Sequence, residues 1–104
     1  MREITPTELQ ELLAGPNPPL LVDVREPFEA EIVQIAGSLL IPMNSLPQRL
    51  QEIPKDRAVA LYCHAGGRSA YAAEWLSRQG YDALSLAGGI DQWAMEIEPG
   101  MRRY

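Results

Sequence analysis

The chain has 104 residues, of which 46% are hydrophobic and 22% charged, a balance that fits one globular domain spanning residues 1–104. Its formal net charge of −5 argues against binding to nucleic acid or to an anionic membrane surface. No apolar run approaches the roughly 20 residues of a membrane-spanning helix. One cysteine and one histidine are too few for a zinc site or an internal disulfide, so we expect no metal and a cytoplasmic location.

The pattern along the chain is an alternation of helices with short apolar strands. Thr5 and Glu8 have the spacing of a capping box, and Gly15 can end the helix that they begin. Nearly continuous apolar runs further on are typical of buried parallel strands. The later elements predicted are strand 20–24, strand 39–41, helix 45–52, strand 58–62, helix 69–79, strand 83–86 and helix 90–95. This alternation predicts an α/β fold with a mainly parallel, twisted sheet of about five strands and helices on both faces.

The most informative segment is the loop that follows the predicted strand 58–62. Its sequence is Cys63-His64-Ala65-Gly66-Gly67-Arg68-Ser69, and it leads directly into a predicted helix. Ligands of parallel sheets bind beyond the carboxyl ends of the strands, which is where this loop lies. The two glycines allow consecutive N–H groups to turn inward, and with the start of the helix they form a cradle that favours a thiolate. Cys63 is therefore a candidate nucleophile, with Arg68 adding positive charge at the rim.

Each candidate residue at the carboxyl ends of the strands also has a purely structural interpretation. Cys63 could be a buried core residue, but burial alone does not require the glycines and arginine that follow it. His64 is either a solvated loop residue or a group that tunes the nucleophile. We expect Ser69 to cap the helix rather than to act as a second nucleophile. Asp23 and Arg25 end a neighbouring strand and form either a pocket pair or a structural salt bridge that shapes the wall of the site.

The Cys63 loop resembles the Cys-x-x-Gly-x-Arg-Ser loop of the rhodanese family. Other segments resemble further motifs of that family in the same order: Val22-Asp23-Val24-Arg25-Glu26, Gly37-Ser38-Leu39-Leu40-Ile41-Pro42 and Gly88-Gly89-Ile90-x-x-Trp93. Together these matches cover nearly the whole chain. One segment departs from the family pattern, because residues 33–38 lack the histidine and proline of the usual Gly-His-Ile-Pro-Gly-Ala run.

The resemblance implies a rhodanese-like three-layer fold and a sulfurtransferase with a two-step reaction. Cys63 would take sulfur from a donor such as thiosulfate, hold it as a persulfide in the loop, and pass it to a thiophilic acceptor such as cyanide. No organic cofactor is implied. The related phosphatases of this fold place five residues between cysteine and arginine, whereas four separate Cys63 from Arg68 here. The shorter loop favours sulfur over phosphate.

The C-terminal residues resemble the end of rhodanese domains fused to E1-like adenylating enzymes, with matches at Trp93, Ile97, Glu98, Pro99 and Tyr104. This resemblance implies a sulfur-carrier protein or a cysteine desulfurase as a partner, and a tail that serves packing alone is the alternative. We expect a monomer. Two other functions stay open at this point: an interaction module of a sulfur relay with little thiosulfate activity, and a phosphatase or arsenate reductase on the same fold.

Overall fold

Five parallel strands form the central sheet of the computed structural model, which describes residues 1–104. In chain order they are β1 (Arg2–Ile4), β2 (Leu20–Asp23), β3 (Leu39–Leu40), β4 (Val59–Tyr62) and β5 (Ala83–Leu86). Their order across the sheet is β1-β5-β4-β2-β3, and every neighbouring pair is parallel. The predicted parallel sheet is confirmed, and β4 lies at its centre.

Helices cover both faces of this sheet, as predicted. They are α1 (Pro6–Ala14), α2 (Pro27–Ile32), α3 (Gly67–Arg78) and α4 (Gly89–Glu96), with two 3₁₀ helices at Met43–Gln48 and Leu50–Glu52. Helix α3 and the first 3₁₀ helix contribute buried side chains to the core on one face, while α1 and α4 contribute to the core on the other. None of the helices combines the length and apolar character that crossing a bilayer requires.

The two faces of β4 belong to two separate hydrophobic cores. Val59 and Leu61 point into the core beneath α3, whereas Ala60 and Tyr62 point into the core beneath α1 and α4. This alternation is the two-residue period of a strand whose faces are both buried. Cys63 continues the first series and lies in the same core as Leu61. The strand therefore delivers the thiol to the side of the sheet on which α3 begins.

Two predicted helices differ from those in the structure, one in its first residue and one in its type. Helix α3 begins at Gly67 rather than at Ser69, and Gly66 takes the N-cap position with φ 108°, a left-handed conformation that glycine adopts without strain. The segment predicted as helix 45–52 forms the two 3₁₀ helices instead. Pro47 lies inside the first of them and has no N–H for a continuous α-helical ladder, which is the physical reason for the difference.

Two elements were not predicted. Strand β1 is three residues long and lies at the edge of the sheet beside β5, so it shows too little periodicity to be recognised. Helix α2 has six residues, but it carries a signal that could have been used. Pro27 occupies its first turn, and the Glu26 N–H donates to the carboxylate of Glu29 at 3.0 Å in the manner of a capping box.

Candidate active site

The Cys63 sulfur lies in a cradle of backbone N–H groups. Its Sγ accepts from the N–H of Gly66 at 3.1 Å and from the N–H of Ser69 at 3.4 Å. The Sγ also lies 3.6 Å from Ser69 Oγ, and Cys63 is only 1% exposed. Both N–H donors come from the junction between the loop and α3, where the left-handed Gly66 turns the chain back over the sulfur. The structure thus brings together Cys63 and the loop residues that the sequence singled out.

Gly88 and Gly89 lie at the start of α4, and this part of the chain packs against the Cys63 loop. The turn before α4 aims the first N–H groups of that helix at the loop, so that Ile90 donates to the Cys63 carbonyl at 2.9 Å and Asp91 donates to the His64 carbonyl at 3.1 Å. Gly89 has φ 62°, and a side chain there would overlap both of these carbonyl oxygens. The close approach of two backbone segments therefore requires glycine at this position.

Arg68 forms a bidentate ion pair with Glu29, a residue that the sequence analysis did not single out. Its two terminal nitrogens donate to the Glu29 carboxylate at 2.7 and 2.9 Å. The hydrogen bonds from Arg68 are the largest influence on Glu29 and lower the pKa of that carboxyl to about 2. The same bonds raise the pKa of Arg68. The cation at the rim is thus held in place by a carboxylate from α2.

Asp23 and Arg25 form a fully buried salt bridge at the end of β2. Arg25 donates to the two carboxylate oxygens of Asp23 at 2.9 and 2.8 Å, and a further bond of 2.7 Å reaches the Val33 carbonyl. Both side chains are 0% exposed. Burial acts to lower the pKa of Arg25, but the hydrogen bonds to Asp23 and Tyr104 outweigh it and raise the pKa. Of the two interpretations made from the sequence, the structure shows the salt bridge.

Tyr104 connects this salt bridge to the Arg68 pair. Its hydroxyl accepts from Arg25 at 2.9 Å and donates to the carboxylate of Glu29 at 2.9 Å. Its ring meets the His64 ring edge to face, with 4.1 Å between the centroids. His64 is accordingly half-buried against the tail and is not a freely solvated loop residue. The tail thus belongs to the surroundings of the loop.

These features together match one protein family. A family model described as the rhodanese-like domain matches residues 5–96, which is most of the chain. The chain belongs to the rhodanese family. Its fold, a five-stranded parallel sheet with helices on both faces, is that of a rhodanese-like domain.

Two relatives and one solved structure show how this chain compares with known proteins. A sulfurtransferase of Allochromatium vinosum is 44% identical over 95 residues, covering 90% of this chain and 89% of that protein. The probable adenylyltransferase/sulfurtransferase MoeZ of Mycobacterium tuberculosis is 41% identical over 104 residues, covering 97% of this chain but only 26% of MoeZ. The solved structure of a rhodanese-like domain protein from Staphylococcus aureus superimposes with a TM-score of 0.86 at 33% identity, covering 100% and 99% of the two chains. The resemblance to the E1-like enzymes, first seen in the tail, is confirmed by the match to MoeZ.

Proposed function

We propose that this protein is a sulfurtransferase that carries the transferred sulfur as a persulfide on Cys63. The observation that carries the proposal is the pair of backbone N–H groups, from Gly66 and Ser69, that point at Sγ. In the first step the Cys63 thiolate attacks the outer sulfur of a donor such as thiosulfate. The bond between the two donor sulfurs breaks, and sulfite leaves with the electron pair. In the second step an acceptor attacks the outer sulfur, and Cys63 leaves as a thiolate.

The cradle supports both steps by electrostatics. Negative charge lies on Sγ before the first step and returns to it in the second, and preorganised N–H donors stabilise such charge without reorganising. Because Cys63 is only 1% exposed, the sulfur is shielded from water, which strengthens these hydrogen bonds. The same burial requires that the donor be small at its reactive end or that the loop open to admit it.

The residues around the cradle receive supporting roles in this proposal. Arg68 supplies a cation at the rim that favours anionic donors, and its pair with Glu29 fixes where that cation lies. The loop residues His64, Ala65 and Gly67 complete the ring around the persulfide. Asp23 and Arg25 form its wall, since their buried salt bridge anchors the end of β2 beside β4.

For the acceptor we propose a protein rather than cyanide, which serves as a convenient small acceptor in an assay. Support comes from the 41% identity to MoeZ, whose name joins an adenylyltransferase with a sulfurtransferase. This chain spans about a quarter of MoeZ, so the adenylating activity belongs to that larger protein. The acceptor in the proposal is a sulfur-carrier protein, and a cysteine desulfurase is the alternative to thiosulfate as the donor.

The test is the rate of thiocyanate formation from thiosulfate and cyanide. We expect the wild type to form thiocyanate catalytically. The rate of Cys63→Ser should be lower by a factor of about a thousand or more, because its hydroxyl forms no persulfide. Ser38→Ala is a matched control, since it removes a hydroxyl on the opposite face of the sheet. Equal rates for Cys63→Ser and the wild type would contradict the proposal.

A further inference from the structure

One buried polar side chain beneath the loop has no part in the mechanism so far. Ser85 is 0% exposed in the middle of β5, between Leu84 and Leu86, which both point into the core on the other face of the sheet. It pairs in register with Leu61 of β4, so it faces the same side as Leu61 and Cys63. Burying a hydroxyl in a strand is unfavourable unless it forms a hydrogen bond. The position therefore calls for a polar partner.

That partner is the hydroxyl of Ser69. The two Oγ atoms lie 2.9 Å apart, and this is the hydrogen bond of the Ser85 side chain. Ser69 Oγ also lies 3.2 Å from the Gly66 carbonyl, to which it donates, and 3.6 Å from Cys63 Sγ, from which it accepts. When Cys63 carries its proton, Ser69 thus accepts from Cys63 and from Ser85 and donates to Gly66. Every hydrogen-bonding position of its hydroxyl is then filled.

We infer that Ser85 is a positioning residue, which acts through Ser69 to stabilise negative charge on Cys63. This inference rests on the proposed function. Once Cys63 is a thiolate, its sulfur no longer donates, and the Ser69 hydroxyl turns its proton from the Gly66 carbonyl to Sγ. The Gly66 carbonyl keeps a donor, because the N–H of Ala70 bonds to it at 3.0 Å. Ser85 continues to donate to Ser69 Oγ throughout.

The Ser85 hydroxyl contributes in two ways. By donating to Ser69 Oγ, it occupies one of the two acceptor positions of that oxygen, so the Ser69 proton is directed to the sulfur and not to Ser85. It also polarises the Ser69 hydroxyl, since a hydroxyl that accepts a hydrogen bond becomes a stronger donor. The effect is largest when Cys63 leaves as a thiolate in the second step: the acceptor forms a bond to the outer sulfur, the S–S bond breaks, and its electron pair passes to Sγ.

The experiment measures this second step in isolation. Wild type, Ser85→Ala, Ser85→Thr and Ser38→Ala are loaded with thiosulfate, freed of donor and mixed with cyanide, and thiocyanate is followed through a single turnover. We expect Ser85→Ala to release sulfur roughly three- to ten-fold more slowly than the wild type, the effect of losing one hydrogen bond of ordinary strength. Ser85→Thr retains the hydroxyl and should restore a rate close to that of the wild type.

Ser38→Ala controls for a purely structural effect. Ser38 Oγ and the Tyr62 hydroxyl form a part-buried pair with the same 2.9 Å separation, and Tyr62 belongs to the core on the other face of the sheet. Both alanine variants should lower the free energy of unfolding in urea, but only Ser85→Ala should slow release. Release from Ser85→Ala as fast as from the wild type, or no rescue by threonine, would overturn the inference. A wild type that takes up no sulfur would instead overturn the proposed function, and the role of Ser85 with it.

Discussion

Cys63 owes its proposed reactivity to backbone atoms and buried hydroxyls, and no other titratable side chain hydrogen-bonds to its sulfur. The groups that contact Sγ are two N–H donors and the hydroxyl of Ser69. His64 follows Cys63 directly, yet its ring packs against Tyr104 and its carbonyl accepts from Asp91. The charged residues of the site form ion pairs with one another and not hydrogen bonds to the sulfur. The contribution of one such pair, Arg68–Glu29, to stability can be tested by changing the pH.

Acid should remove the contribution of Glu29 to stability. Its pKa is lowered from 4.5 to about 2 in the folded protein, so its stabilisation is complete above about pH 4.5 and is lost as the pH falls towards 2. A shift of this size corresponds to at most about 3 kcal/mol. Since the Arg68 side chain is 37% exposed, we discount this for solvent screening to about 1 to 2 kcal/mol.

The measurement is urea unfolding of the wild type and Glu29→Gln at neutral pH, pH 4.5 and pH 3. The wild type should be more stable at neutral pH, and the difference between the two proteins should shrink below pH 4.5 as the carboxylate becomes protonated. Glu52→Gln is the control, because Glu52 pairs with Arg49 on the surface, where an ion pair contributes little. A difference that stays constant down to pH 3 would show that the ion pair does not stabilise the fold.

At the scale of elements, sequence patterns correctly predicted the helix and strand features that depend on residues close together in the chain. The Thr5–Glu8 capping box is present in α1, and β5 spans the predicted residues 83–86. The start of α3 was misplaced because Ser69 is a common N-cap residue, whereas the true cap is set by the left-handed Gly66 and by the sulfur that the loop must enclose. Strand β1 depends on pairing with β5, 82 positions away in the chain, which no local pattern encodes.

The turn between β5 and α4 gives a prediction at this scale. Gly89→Ala should lower the free energy of unfolding by at least about 2 kcal/mol, because alanine is strained at φ 62° and its methyl group would overlap the carbonyls of Cys63 and His64. Hydrogen exchange at the N–H groups of Ile90 and Asp91 should accelerate as their bonds to the loop are lost. Urea unfolding and amide exchange provide the two measurements.

Gly100→Ala is the matched control for this turn. No atom lies near the position that its new methyl group would take, and its backbone is not left-handed. We expect a change within about 0.5 kcal/mol of the wild type. If Gly89→Ala were as stable as Gly100→Ala, the close contact between the α4 turn and the cysteine loop would not be required.

At the scale of the whole molecule, the site is assembled from segments that are distant in the chain. Tyr104 bonds to Arg25 and to Glu29, which precede it by 79 and 75 positions. Sequence motifs could place Cys63, Asp23 and Arg25 at one edge of the sheet, because strand ends are local features. They could not reveal the partner of Arg68, since that contact exists only after α2 and α3 have packed around the loop. A single domain over residues 1–104, a monomeric state and a cytoplasmic location stay predictions.

The central claim, that Cys63 carries the transferred sulfur, is tested most directly by the intact mass of the protein after treatment with thiosulfate. We predict a mass increase of one sulfur atom on the wild type, its removal by dithiothreitol or cyanide, and no such increase on Cys63→Ser. Because the chain has a single cysteine, the position of the adduct is unambiguous. An unmodified wild type, or an adduct that persists on Cys63→Ser, would contradict the claim.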